Sequence, residues 1–300
     1  MSNKLIYRPE IDGLRAIAVT AVILYHARIS ILGYQPFKGG FIGVDIFFVI
    51  SGYLITSIIF NELITTGSFS FKKFYERRIR RILPVLLVVM LTSLPFAWMY
   101  IQPDSYVDFS KSIIYSLGFS SNFYFHHSGQ EYGDVSGIYT PFLHTWSLSV
   151  EEQYYVIFPI IFLILFIYFR RYLIHFLIFG FVLSLVLAGW GSRNYPSATF
   201  YLLFTRIWEI LAGSILAYYE ISLKRRCVQK KFNLIFPSVG LLLIVHSIIF
   251  FNKETYHPSF YTLSPIIGVC LIIWFSNSNE LITKILSTKL LVFVGLISYS

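Results

Sequence analysis

Charge is what this chain most conspicuously lacks. Only 13% of its 300 residues are Asp, Glu, Lys or Arg, against about 25% in an ordinary soluble domain. That shortage excludes a conventional soluble globule. Cysteine is nearly missing as well. Cys227 and Cys270 allow at most one disulfide and match no zinc-ligand spacing, so no metal cluster is expected. A cleaved secretory leader is not indicated. The first apolar segment begins only after the polar stretch Met1–Asp12, carries an internal Arg and His, and is followed by further apolar segments. No internal repeat or low-complexity tract stands out.

Apolar residues take the place of charge. They make up 56% of the chain, and aromatics 19%, with 30 Phe and 22 Tyr. Mean hydropathy is +0.67, the range of a membrane-embedded chain rich in interfacial aromatics. The net charge of +9 then reads as basic cytoplasmic loops rather than a nucleic-acid surface.

A helix needs about 20 apolar residues to cross a bilayer. Segments of that kind are Leu14–Leu32, Phe41–Leu63, Ile82–Ile101, Leu148–Phe169, Tyr172–Trp190, Thr199–Tyr219, Phe232–Phe251 and Phe260–Phe275, with a ninth opening near Leu290. The stretch Asp108–His127 is apolar but carries five Ser, Lys111, Asn122 and two terminal His. Basic loops decide its status, because short Lys/Arg-rich loops stay cytoplasmic. With a cytoplasmic N-terminus and Asp108–His127 not spanning, Lys72–Arg81, Arg170–Arg171, Lys224–Lys231 and the Lys284/Lys289 pair all fall inside. Gln102–Trp146 is then an outer excursion, partly helical, re-entrant or lying on the surface. The expected architecture is an all-α polytopic membrane protein. The last apolar segment is cut at Ser300, so residues 1–300 read as a membrane domain truncated at its C-terminus.

Ionisable groups inside spans cost several kcal/mol, about 2.5–3.5 on insertion scales, which makes each one a functional candidate. The first span carries Arg15 and His26. Eleven residues at ~100° each place them within ~20° of one face, ~16 Å apart along the axis. A snorkelling Arg and a hydrogen-bonded interhelical His would look the same. Asp45 follows three glycines in Gly39–Phe48, near the outer face, where a carboxylate also complements a helix N-terminus. Lys72–Arg81 packs six positive charges into ten residues. On charge pattern alone this is a topology signal or a patch for anionic lipid. Yet Arg forks bind phosphate, and Arg78 and Arg81, three apart, share a helical face. Glu151 and Glu152 are adjacent at the edge of a long apolar run and point ~100° apart. Arg206 and Glu209 are three apart and read as a structural pair. These positions put His26, Asp45, Glu151 and Glu152 at outer-half depth, with Arg15 and Arg77–Arg81 on the inner side.

Taken in order, these segments resemble the acyltransferase-3 family of bacterial membrane O-acyltransferases, which modify surface polysaccharides. Tyr7–Ala16 is similar to the family's opening signature, and Arg15 with His26 to its Arg/Lys, ten residues, His motif. Gly39–Phe48 resembles its Gly-Gly-Phe…Val-Asp…Phe-Phe motif, Arg78–Arg81 its Arg-x-x-Arg motif, and Trp146–Tyr155 its Trp-Ser-Leu…Glu-x-x-Tyr/Phe-Tyr motif. The resemblance covers essentially the whole chain. It implies about ten transmembrane helices, nine of them visible here, and acyl transfer, usually acetyl, from cytosolic acyl-coenzyme A to a sugar hydroxyl. Relatives often carry a periplasmic hydrolase-like domain after the membrane part, which would lie beyond residue 300.

The reading is therefore a helical bundle around a central polar cavity in the bacterial inner membrane. It would move an acyl group, as acetyl, from acyl-CoA (acetyl-CoA) to a carbohydrate hydroxyl of a glycan or lipid-linked sugar, with neither metal nor nucleic acid involved. A sugar hydroxyl is a poor nucleophile and gains from a base near pKa 7, which histidine supplies. His26 is expected as that base, or as a transient acyl carrier. Asp45 is grouped with it at the outer end, and Glu151 or Glu152 would orient the imidazole or the acceptor. Arg15, Arg78 and Arg81 would hold the coenzyme A phosphates. The acceptor stays open among O-antigen (lipopolysaccharide), peptidoglycan, exopolysaccharide and small glycosides. A transporter of an anionic or lipid-linked sugar would use the same intramembrane Arg, His and Glu, but paired interrupted helices in two halves are not visible. A structural or lipid-sensing membrane protein would explain the basic loops and leave His26 and the glutamates without a role.

Overall fold

The computed structural model describes residues 7–30, 32–129, 140–223, 230–278 and 280–298, without the side chains of 104 and 230. Among these the chain is almost wholly helical. The α-helices are α1 (Pro9–His26), α2 (Gly43–Thr66), α3 (Phe71–Tyr100), α4 (Pro103–Leu117), α5 (Ser121–His127), α6 (Thr145–Tyr168), α7 (Leu173–Asn194), α8 (Pro196–Tyr201), α9 (Leu203–Leu223), α10 (Lys230–Phe250), α11 (Leu263–Phe275), α12 (Leu281–Leu286) and α13 (Lys289–Ile297). Single 3-10 turns lead into α2, α7 and α11.

Six helical stretches are long and apolar enough to cross a membrane: Gly40–Thr66, Phe71–Tyr100, Thr145–Tyr168, Arg170–Asn194, Pro196–Leu223 and Lys231–Phe250. That is fewer than the nine segments of the sequence, and the difference has local causes. The segment at Leu14–Leu32 ends at His26, because Arg28 and Leu32 take left-handed backbone conformations. The helix instead starts earlier, at Pro9, where a proline suits the first turn. Its first two turns carry Glu10, Asp12 and Arg15, all buried in protein. The Phe260–Phe275 segment yields only the 13-residue α11, and the last segment the nine-residue α13. Thr199–Tyr219 is broken at Leu202, between α8 and α9. The excursion Asp108–His127 forms α4 and α5, split at Phe119 with φ +49°, and neither part is of spanning length. Cys227 and most of Lys224–Lys231 lie outside the described residues; Cys270 is a free thiol.

α2 is the axis of the bundle. Its backbone meets that of α9 at two glycines: a Cβ on Gly52 would overlap the Ile210 carbonyl, and one on Gly213 the Val49 carbonyl. Close backbone approach of this kind is how helices associate where lipid supplies no hydrophobic drive. Around α2 and α9 pack α1, α7 and α11, and α2 ends on Gly67, in the left-handed conformation at φ +73°. α3 stands apart. Only Phe74, Leu86, Met90 and Ala97 of its 30 residues are buried.

A run of buried hydroxyls fastens the α4–α5 excursion to the start of α6. Ser116 Oγ meets Thr145 Oγ1 at 2.7 Å, Thr145 Oγ1 meets Ser121 Oγ at 2.9 Å, and Ser121 Oγ meets Ser149 Oγ at 2.8 Å. Beside it, Gln153 Nε2 donates to the Phe119 carbonyl and to Asn122 Oδ1. These bonds fix where α6 enters the bundle, and hence where its polar residues fall. At the other end of the chain's first helix, Arg8 anchors the entry to α1. Its guanidinium donates to Glu10, to the Tyr53 hydroxyl and to the Ile273 carbonyl.

Candidate active site

Two polar clusters are buried in this bundle. The first joins α1, α2, α3 and α6. Arg15 on α1 is buried and pairs with Asp12 one turn earlier, Nη1 to Oδ1 at 3.1 Å. Arg78 on α3 lies over the ring of Tyr155 on α6, 3.7 Å from its centroid, a cation–π arrangement. The Tyr155 hydroxyl donates to Glu151 Oε2 at 2.9 Å, with Ser51 of α2 near the same carboxylate. The charges of Arg15 and Arg78 both act on Glu151. Arg81, more exposed, is within electrostatic reach of Arg15, Arg78 and Asp12. Glu152, the next residue, also lies within electrostatic reach of Arg78, and its Oε1 is buried without a hydrogen-bond partner. A buried polar atom left unsatisfied costs about 1–3 kcal/mol, so its persistence asks for a functional reason.

This grouping revises the depth assignment from the sequence. Glu151 and Glu152 join Arg15, Arg78 and Arg81 in one cluster and do not form a separate acid/base layer with His26. His26 is the last residue of α1, exposed, its Nδ1 donating to the Val22 carbonyl at 2.8 Å. His144 stands at the N-terminal boundary of α6, where its side chain makes no capping bond. Seven residues of helix separate His144 from Glu151, ~10 Å along the axis.

The second cluster holds Asp45, which the sequence grouped with His26 at an accessible outer end. It is instead sealed, with no exposed surface on Asp45, Arg206 or Glu209. Arg206 Nη1 reaches Asp45 Oδ1 at 3.1 Å and Glu209 Oε1 at 3.0 Å. Its Nε donates to the Phe200 carbonyl at 3.0 Å. Trp146 and Phe200 lie against the guanidinium plane, 5.3 and 4.7 Å from ring centroids. His257, from the loop before α11, completes the set. Burial first, and then the Arg206 charge, push its pKa well below the ordinary histidine value, so the ring is neutral at pH 7. Nε2–H then donates to Asp45 Oδ2 at 2.8 Å, and Nδ1 accepts from Arg206 Nη2 at 3.3 Å. The expected Arg206–Glu209 pair is therefore present, within a larger knot.

Tyr155 could have been found from spacing, since i to i+4 puts it on the face of Glu151. Ser51 and His257 carried no such signal: the residues they meet are far away in sequence. Among the described residues no group of three His, Cys, Asp or Glu is arranged to hold a metal ion.

Apolar helices of spanning length, enclosing arginines and carboxylates drawn from distant segments, define a polytopic membrane protein with an internal polar site. The chain belongs to the acyltransferase-3 family: the family profile, described as an acyltransferase domain, matches residues 8–300. It is 35% identical to a Staphylococcus aureus (MSSA476) protein named a putative O-acetyltransferase, over 99% of this chain and 50% of that one. It is 34% identical to the peptidoglycan O-acetyltransferase OatA of Listeria monocytogenes, over 98% of this chain and 48% of that one. With the O-acetyltransferase OatA of S. aureus (NCTC 8325) it shares 32% identity over 98% and 49%. The chain thus spans about half the length of the curated relatives it matches. No solved structure matches it.

Proposed function

We propose that the protein is a membrane O-acetyltransferase that moves an acetyl group from acetyl-coenzyme A to a hydroxyl of a cell-surface glycan. The observation that carries this reading is the convergence of Arg15, Arg78 and Arg81 with Glu151, Glu152 and Tyr155 from three separate segments. Guanidinium forks suit the donor's phosphates, and the family and the names of the relatives supply the reaction class. The Listeria relative's name makes peptidoglycan the preferred acceptor over lipopolysaccharide.

In this reading the protein sits in a bacterial inner membrane with its N-terminus cytosolic, and the complete domain has about ten helices around a polar cavity. The donor approaches the basic start of α3 from the cytosol, and its acyl end reaches toward the His26 end of α1. His26 Nδ1 is committed to the Val22 carbonyl, which leaves Nε2 as the basic nitrogen. It takes the proton of the sugar hydroxyl as the oxygen attacks the thioester carbonyl.

The test is a transfer assay on the chain in lipid nanodiscs, with radiolabelled acetyl-CoA and a soluble peptidoglycan fragment. Wild type should label the glycan. His26→Ala should lose about 10²–10⁴-fold in turnover, the range of a general base, while folding and inserting normally. Near-normal turnover in that variant would remove His26 from the mechanism.

A further inference from the structure

The start of α1 holds two acids, Glu10 and Asp12, and they are used differently. Glu10 accepts from Arg8 Nε at 2.8 Å, and the rest of that guanidinium is tied to the Tyr53 hydroxyl and the Ile273 carbonyl. That set fastens α1 to α2 and α11. Asp12 serves Arg15 instead. Its Oδ1 accepts from Arg15 Nη1 at 3.1 Å, and its Oδ2 accepts from the Tyr7 hydroxyl at 2.8 Å. Both members of the ion pair are 5% exposed. The main chain of Asp12 is fixed as well: a Cβ on Gly295 of α13 would overlap its carbonyl oxygen. Asp12 is thus held at its backbone and at Oδ2, and through Oδ1 it holds Arg15.

An acid near a helix start also complements the helix dipole. That role needs neither burial nor a hydroxyl on the second oxygen, and Glu10 already supplies it. Taking a pair of charges out of water is costly. An acid beside a phosphate site also repels the ligand, so its charge is no help to binding. Geometry is what Asp12 can add. A guanidinium ordered before the ligand arrives loses less freedom on binding it.

We propose that Asp12, steadied by Tyr7, is the positioning residue that sets the Arg15 fork for the phosphates of the acyl donor. The inference rests on the donor-binding reading above. Tyr7 orients the carboxylate through Oδ2, the carboxylate orients Arg15 through Oδ1, and Arg15 meets phosphate as a pre-set fork together with Arg78 and Arg81. Asp12 and Tyr7 act through Arg15 and do not touch the donor.

The experiment measures Kd for radiolabelled acetyl-CoA, and kcat for transfer to a chito-oligosaccharide, on the chain in nanodiscs. Wild type is compared with Tyr7→Phe, Asp12→Asn, Arg15→Gln and the Asp12→Asn, Arg15→Gln pair. Asparagine keeps the size of Asp and an oxygen for Tyr7, and removes the charge. Asp12→Asn should weaken donor binding about tenfold or more, the equivalent of one hydrogen bond to a charged group. Tyr7→Phe, at a residue 63% exposed, should weaken it about threefold with the unfolding midpoint unchanged. Both should keep kcat within about threefold of wild type. In the Arg15→Gln background Asp12→Asn should weaken binding no further, because residues that act through one another are not additive. An unchanged or lower Kd in Asp12→Asn, or a full additive loss in the pair, would overturn the inference. If Asp12→Asn does not fold, a wild-type Kd in Tyr7→Phe does the same. Arg15→Gln with wild-type affinity would remove Arg15, and Asp12 with it, from donor binding. Wild type that binds acetyl-CoA and transfers nothing would sink the acyl-transfer reading and leave this inference standing on Kd. Wild type that binds no acetyl-CoA would overturn both.

Discussion

The two polar clusters are built on opposite terms. Around Arg206 the donors of the guanidinium are spent inside protein, on Asp45, Glu209, the Phe200 carbonyl and His257, with aromatic rings on the guanidinium plane. No surface of Asp45, Arg206 or Glu209 is exposed. Around Arg78 the cluster is only partly enclosed: the Tyr155 ring lies beneath the guanidinium, Glu151 and Glu152 are half-buried, and Arg81 is exposed. A sealed knot spends its charges on holding helices together. A half-open cluster leaves an arginine, Arg81, where a ligand can reach it. Both contain intramembrane Arg and acid, and each keeps a buried carboxylate oxygen without a partner, Glu152 Oε1 in one and Glu209 Oε2 in the other, so what separates the clusters is exposure.

The largest effect should come from breaking the knot. Arg206→Ala strands two buried carboxylates, and removing one partner of a buried pair costs about 3–5 kcal/mol. The measurement is the thermal unfolding midpoint in nanodiscs, which should fall steeply; an unchanged midpoint would erase the contrast. Glu151→Gln acts on the other cluster. It should cut turnover about ten- to hundred-fold, the equivalent of one hydrogen bond to a charged group, and leave the midpoint near wild type. A collapse of the midpoint instead would make Glu151 part of the scaffold.

A smaller, more selective effect is expected from Arg78→Lys with Arg81→Lys. Charge and therefore insertion are kept, but the planar fork is gone. KM for acetyl-CoA should rise roughly tenfold for each phosphate hydrogen bond removed, and an unchanged KM would leave the basic run as a topology signal. The smallest effect belongs to Ser116→Ala in the hydroxyl run, about 1 kcal/mol of stability with turnover preserved, read from the same unfolding curves.

Much of the helical layout was legible in the sequence because spanning helices announce themselves by length. What hydropathy does not reveal is which helix is central. α2 and α3 have mean hydropathies of 2.0 and 2.2 in their apolar windows, yet 83% of the first is buried in the protein and 17% of the second. Small and polar residues carry that distinction: Gly52, Ser51 and Ser57 line α2, and the apolar part of α3 has few such residues. α1 was misplaced by several residues for a related reason. Its Glu10, Asp12 and Arg15 look like an aqueous flank until the helices that bury them are known.

The arginine face of α3 and the Glu151–Glu152 pair could be read from local spacing. The knot could not, because Asp45 meets Arg206 across 161 residues and His257 across 212. Proximity of that kind belongs to tertiary packing, which one chain without its relatives does not encode in any periodic form.

The contrast is tested most directly by the rise in unfolding midpoint that acetyl-CoA itself produces. A ligand that binds only the folded protein stabilises it by RT ln(1 + [L]/Kd), about 2.7 kcal/mol at a hundredfold excess over Kd. Arg206→Lys should lower the starting midpoint and keep the donor-induced rise. Arg78→Lys with Arg81→Lys should keep the starting midpoint and lose most of that rise. A rise that disappears with Arg206→Lys at an intact starting midpoint, and survives in the Arg78/Arg81 pair, would contradict the assignment of donor binding to the half-open cluster.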